Sequence, residues 1–178
     1  MNISKEVKRA QRGKVSSFEK LVTSHQLILY RIARTILSRN EDCADAIQET
    51  IVKAFEKLSS LREPQYFKTW IIRILMNECY QIVRKRKNIV PFEDWKETSS
   101  LEKGYESIEV EELLSVLPHE QQELIKLYHI EDISIQDLSS IYEVPENTVK
   151  TRLRRAREKM REILEQEDEV QWKNGKIK

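Results

Sequence analysis

The chain has 178 residues, of which 34% are charged and 39% hydrophobic, with Gly 3 and Pro 4. That balance belongs to small, highly charged, all-helical proteins and allows one medium domain or two small ones. There is no glycine-rich phosphate loop, no metal-ligand cluster and no nucleophile–base pair, which argues against an enzyme and against a metal or other cofactor.

The net charge of +1 points to no partner, but the charge is distributed in blocks. Arg84, Lys85, Arg86 and Lys87 are all cationic. Between Lys150 and Arg161 the cations Lys150, Arg152, Arg154, Arg155, Arg157, Lys159 and Arg161 stand against Glu158 alone. Acids concentrate in residues 41–56 and 93–112. Such alternation predicts two nucleic-acid faces, with acidic surface left for protein partners. Cys43 and Cys79 form no CxxC motif and read as reduced core thiols. The polar start lacks the apolar core of a signal peptide, and no apolar run approaches membrane-spanning length. A cytoplasmic protein without membrane insertion is expected.

Along the chain, residues 4–12 carry a weak basic helical pattern that stops at Gly13, and Ser16 or Ser17 can cap the next helix. In that helix Phe18, Leu21, Val22, His25, Ile28, Leu29, Ile32, Ala33 and Ile36 recur at helical spacing, and His25 reads as a core-edge residue. Asn40 is the expected cap of a third helix, with Ala44, Ile47, Ile51, Ala54, Phe55 and Leu58 as its buried stripe. Asp45, Gln48 and Glu49 cluster on the outer face. With no pocket or partner beside them, acid–base chemistry is set aside in favour of docking on a basic protein partner.

Residues 61–65 break the pattern, and Pro64 suits the first turn of the helix that follows. Tyr66 to Lys87 is uninterrupted by Gly or Pro. Phe67, Ile71, Ile74, Leu75 and Ile82 mark its buried stripe. Trp70, Arg73, Asn77, Tyr80, Gln81 and Arg84 fall on one other side. That second stripe fits a solvated basic face. It also fits a DNA reader, since aromatics stack on unpaired bases, amides bond to base edges and cations neutralise phosphates.

Residues 88–105 gather turn formers and acids and read as a linker. A helix returns at 106–117, ended by Pro118, followed by a third pattern with Leu124, Ile125, Leu127 and Tyr128. Ser134 with Asp137 has the form of a capping box opening a short helix, which carries Leu138 and Ile141 inward. Val144-Pro145 makes a turn. Glu146 to about Leu164 is a basic helix that buries Val149, Leu153, Ala156, Met160 and Leu164, and residues 166–178 are expected to fray. A short helix, a tight turn and a longer basic helix form a helix-turn-helix pattern. Asn147, Lys150, Thr151, Arg154 and Arg155 are the outward positions of its second helix. Glu143 stands where glycine is usual, and a non-glycine residue in a left-handed conformation there costs about 1–2 kcal/mol.

The segments DAIQETIVKAF (45–55), FKTWIIRILMNECYQIVRKRK (67–87), LP (117–118) and ISIQDLSSIYEVPENTVKTRLRRAREKM (133–160) together resemble a bacterial sigma factor. They resemble the extracytoplasmic-function group of the sigma-70 family, which keeps only domains 2 and 4. The resemblance implies an all-α fold of two small helical domains joined by a short acidic linker. Domain 2 spans 1–88, with core docking at 45–58 and −10 recognition and melting at 61–87. The linker is 89–105. Domain 4 spans 106–165, with the helix-turn-helix at 135–157.

It further implies that Asp45, Gln48 and Glu49 dock on the β′ clamp helices of core RNA polymerase. The loop 61–66, with Arg62, helps trap a flipped −10 base, and Trp70 and Asn77 lie at the melting and base-reading face. Residues 148–157, with Arg152 among them, read the −35 element, their neighbours touching the β flap. Gln81 departs from the family's usual aspartate and Ile51 from its usual phenylalanine. The implied protein directs promoter recognition, DNA melting and initiation, in a stress or envelope response, with an anti-sigma factor as a further partner. A stand-alone helix-turn-helix regulator is the alternative, but it leaves the Trp70–Arg84 face and the 45–49 patch without a purpose.

Overall fold

The computed structural model describes residues 1–87 and 114–175. Its described residues fall into two compact units, one built on 1–87 and the other on 114–175. The expected linker at 88–105, and most of the helix expected at 106–117, lie outside the described residues.

In the first unit α1 (Ile3–Gln11), α2 (Val15–Ile36), α3 (Asn40–Lys57) and α4 (Phe67–Lys87) pack around one apolar core. Val7, Leu21, Leu29, Ile32, Phe67, Ile71, Ile72 and Leu75 are wholly or almost wholly buried in it. Gly13 follows α1 at φ 88°, the left-handed value that glycine adopts without strain. His25 sits in the core as expected: Nδ1 is 2.7 Å from the Leu21 carbonyl, and the ring meets Phe67 edge-on at 5.4 Å. Cys43 and Cys79 are buried and not joined by a disulfide, and burial pushes the Cys43 thiol up, away from the reactive thiolate.

Several local expectations are corrected. Neither Ser16 nor Ser17 caps α2, which starts at Val15 after Lys14, and Ser17 is buried. Asn40 is the first helical residue of α3 and not its cap, which is Arg39. The buried stripe of α3 is Cys43, Ala46, Thr50 and Ala54, whereas Ala44 and Phe55 are exposed and Ile47 and Ile51 half-buried. The reason lies in packing. α3 contacts both α2 and α4, and small side chains on the wedged face let both backbones approach. Thr50 belongs there because its hydroxyl donates to the Ala46 carbonyl at 2.7 Å, so this buried hydroxyl is paired. On α4, Ile74 and Ile82 are half-buried, while Ile72, Met76 and Cys79 join the core.

In the second unit α5 (His119–Ile125) runs into one π turn (Lys126–Ile130) before α6 (Ile135–Tyr142) and α7 (Glu146–Gly175). Leu114, Leu124, Leu127, Ile133, Leu138, Val149, Leu153 and Ala156 form its core. The Ser134 cap of α6 is present: the Ser134 hydroxyl accepts from the Asp137 amide at 3.0 Å and donates to the Asp137 carboxylate at 2.6 Å. The turn after α6 closes through the Val144 amide on the Ser139 carbonyl at 3.1 Å and the Ser139 hydroxyl on the Val144 carbonyl at 2.6 Å. The expected end of α7 near Leu164, and with it the frayed tail from residue 166, is corrected as far as Gly175, to which the helix persists, while residues 176–178 lie outside the described residues. No Pro or Gly interrupts it before that glycine. Met160 is half-buried and Leu164 is 44% exposed, so the last fully buried side chain of α7 among those whose burial is described is Ala156.

Glu143 holds the left-handed conformation at φ 55° and ψ 40°. Glu143→Gly is expected to raise the stability of this unit by about 0.5–1 kcal/mol, the relief of backbone strain exceeding the added entropy of the unfolded chain. Glu143→Val, β-branched, is expected to lower it. Urea unfolding of both variants checks this, and the same sign for both would contradict it.

Candidate nucleic-acid interface

At 100° per residue, Trp70, Arg73, Asn77, Tyr80, Gln81 and Arg84 occupy the side of α4 opposite its buried residues. Arg73, Asn77 and Arg84 are exposed, and Trp70, Tyr80 and Gln81 half-buried. Trp70 is held by its neighbour, its ring 5.9 Å from that of Phe67 at 44°. A half-buried indole fixed by the core beside an exposed amide and guanidiniums is a platform on which a base can stack.

Arg62 is exposed on the loop before α4. That loop is tied down from α1, whose Gln11 amide donates to the Leu58 and Leu61 carbonyls at 3.0 and 2.9 Å. The weak pattern at residues 4–12 therefore has a positioning role that its periodicity did not signal. The basic run at the end of α4 splits. Arg84 faces outward with Asn77, but Arg86 lies on the side toward α3 and pairs with Asp42 at 2.6 Å, which withdraws it from phosphate contact.

On α3, Asp45, Gln48 and Glu49 are all exposed. Two large apolar side chains stand on the same outer surface: Val52 is 51% and Phe55 52% exposed. Sequence reading assigned Phe55 to the core and so missed it as surface. Phe55 is steadied by an edge contact with Phe18 at 5.1 Å. Glu49 is 3.3 Å from Lys53, which also pairs at 2.7 Å with Glu78, a buried residue of α4.

The Glu78 hydrogen bond, and then Glu49, hold the Lys53 ammonium above its ordinary range. A raised lysine adds stability that is complete below the ordinary lysine value and is lost as pH climbs through the raised one. Lys53→Met leaves Glu78 buried without its counter-charge and is expected to cost about 1–3 kcal/mol at neutral pH. The gap to the parent should close at strongly alkaline pH. Chemical unfolding at both pH values checks this, and a gap independent of pH would contradict it.

In the second unit Asn147, Lys150, Thr151, Arg154 and Arg155 share the face of α7 opposite Val149, Leu153 and Ala156. Arg152 stands apart, exposed on the flank of the helix. Thr151 is half-buried with its hydroxyl donating to the Asn147 carbonyl at 2.8 Å. Lys150 lies 3.6 Å from Glu146, and Arg154 lies 3.4 Å from Glu158.

An aromatic, amide-bearing and basic helix face in one unit and a helix-turn-helix in the other fit a protein that binds DNA. Comparison with known proteins identifies which. A family model described as Sigma-70 region 2 matches residues 21–89, and one described as Sigma-70, region 4 matches residues 107–160. The chain is 33% identical to the RNA polymerase sigma factor SigV of Bacillus subtilis over 151 residues, 83% of this chain and 90% of SigV. It is 30% identical to the ECF RNA polymerase sigma factor SigM of Mycobacterium tuberculosis over 151 residues, 83% of this chain and 77% of SigM.

Among solved structures, the sigma factor RpoE in complex with the anti-sigma factor NepR from Bartonella quintana superposes with a TM-score of 0.66 at 26% identity, covering 83% of this chain and 96% of RpoE. CnrH in complex with the cytosolic domain of CnrY shares the fold at a TM-score of 0.70 and 24% identity, covering 92% and 97% of the two chains. The chain belongs to the sigma-70 family, in its extracytoplasmic-function group. It is not an enzyme: it binds core RNA polymerase and promoter DNA and directs initiation. No described helix is long and apolar enough to cross a membrane.

Proposed function

We propose that residues 1–88 dock on core polymerase and open the −10 element, that 106–165 read the −35 element, and that 89–105 join them. The observation that carries this reading is the outer face of α3, where Asp45, Gln48 and Glu49 are exposed one to two turns before the exposed Val52 and Phe55. Exposed apolar side chains with acids beside them suit a protein-docking surface, and its partner is the β′ clamp helices. On α4 and its leading loop, Arg62, Trp70, Arg73, Asn77, Gln81 and Arg84 receive the melted −10 strand. Flipping a base costs a few kcal/mol, offset by stacking and by its pocket.

On α7, phosphate contacts position the helix and base contacts specify, with neighbouring residues on the β flap. Neither unit needs high affinity alone, because the polymerase holds both at a fixed span and raises their effective concentration. The complex of RpoE with the anti-sigma factor NepR supports an anti-sigma partner for this chain too. That partner would release the chain in a stress or envelope response, and the chain would act in the cytoplasm with the polymerase.

The test is affinity capture of the tagged chain. Polymerase subunits are expected to come down in stoichiometric amount, whereas a dimer without polymerase would contradict the reading. The α7 face gives a second check. Alanine at Arg154 or Arg155 is expected to cost about 1–3 kcal/mol and to relax preference at single base pairs of the −35 element. Arg152→Ala, on the flank, should weaken all promoters alike and lower the salt slope by about 1. Competition binding across a −35 library separates the two patterns, and base-specific loss at Arg152 alone would reverse the assignment.

A further inference from the structure

On the α4 face, one end of the Gln81 amide is already engaged. Its Nε2 donates to Glu78 Oε1 at 3.4 Å, and the other carboxylate oxygen of Glu78 accepts from Lys53 Nζ at 2.7 Å. Glu78 is only 6% exposed, so its carboxylate lies on the core side of Gln81, with Lys53 as its counter-charge. A carboxylate offers acceptors only, and the NH2 end of an amide is the end that can face it. The carbonyl oxygen of Gln81 is thereby left as the outward end, on the side where Asn77 and Arg84 are exposed.

We propose that Glu78 orients Gln81 so that its carbonyl oxygen faces the nucleic acid and selects the exocyclic amine that adenine carries at C6 and cytosine at C4. Guanine and thymine carry a carbonyl oxygen at the corresponding ring position. Placed against the Gln81 oxygen, that carbonyl leaves two acceptors facing each other without a proton. Gln81 is then a specificity-determining residue, and Glu78, with Lys53 behind it, a positioning residue that touches no DNA. The inference rests on the reading of the α4 face as the −10 reader.

The experiment uses polymerase reconstituted with the full chain and promoter fragments carrying each base in turn at each −10 position. The parent is expected to favour adenine or cytosine roughly tenfold at one position, and Gln81→Ala to flatten that preference. Glu78→Gln should flatten it too, because the amide introduced at position 78 can face either end of Gln81. The exchange Glu78→Gln with Gln81→Glu should restore it, since the new carboxylate can only accept from the base. Gln81→Lys, a donor only, should invert it toward guanine or thymine, and this arm stands even where Glu78→Gln fails to fold.

An unchanged amine preference in a folded Glu78→Gln variant, or in Gln81→Lys, overturns the proposal while leaving Gln81 at the DNA. No change at any position in Gln81→Ala shows instead that the reading of this part of the face is wrong, and the proposal falls with it.

Discussion

Asn77→Ala is expected to lose promoter opening while keeping or slightly raising thermal stability. Asn77 is exposed in the middle of α4, on the face shared with Trp70, Arg73 and Arg84. Asparagine is a poor helix interior residue, and alanine there gains up to about 0.7 kcal/mol of helix propensity. No helix end is near enough for its amide to cap, so the unfavourable choice points to a contact made outside the folded chain. A base contact worth about 1–3 kcal/mol is a large share of the few kcal/mol needed to hold a base out of the stack. Its loss should reduce the open-complex fraction on duplex promoters roughly 5- to 150-fold. A premelted bubble should restore much of that fraction but not the discrimination among −10 bases. Equal melting and equal base discrimination in parent and variant would remove Asn77 from the reading face.

Asp45→Lys is expected to weaken binding to core polymerase at least 30-fold, corresponding to about 2 kcal/mol at the lower end of what a lost interfacial charge pair costs. Position 45 is a cleaner probe than position 49. Asp45 is exposed on the outer face of α3, whereas Glu49 is also a partner of Lys53, so reversing Glu49 would set two cations side by side and disturb Glu78 behind them. Helical content and melting temperature should match the parent. Val52→Ser, on the same face, should weaken core binding without changing charge. Unchanged affinity in both variants would move the docking surface away from α3.

The helix order and the two faces were legible because their signals are local. The stripe on α4 and the outward set on α7 follow from the 3.6-residue period alone, and the Ser134 cap and the strained turn at Glu143 from residue types at fixed spacing. What was not legible depends on neighbours distant in sequence. Counting large apolar residues turned α3 toward Ile47, Ile51 and Phe55. The helix instead buries Cys43, Ala46, Thr50 and Ala54, because it is wedged between two others and small residues permit the close approach. The same rotation exposes Phe55, which looked like core, beside the exposed Val52. The cross-helix pairs Lys53–Glu78 and Arg86–Asp42 left no trace in any spacing, yet they tie these charged groups to one another within the fold. The expected end of α7 failed for the opposite reason: loss of the apolar stripe was read as loss of helix, but nothing between Glu146 and Gly175 breaks one.

The most direct measurement is transcription from genomic DNA by core polymerase reconstituted with this chain, with every start site mapped. Starts absent with core alone should appear, lying downstream of one two-part motif whose halves keep a fixed spacing, and Asp45→Lys should abolish them all. Starts identical to those of core alone, or starts that persist in the Asp45→Lys variant at parental strength, would contradict promoter selection through an α3-docked polymerase.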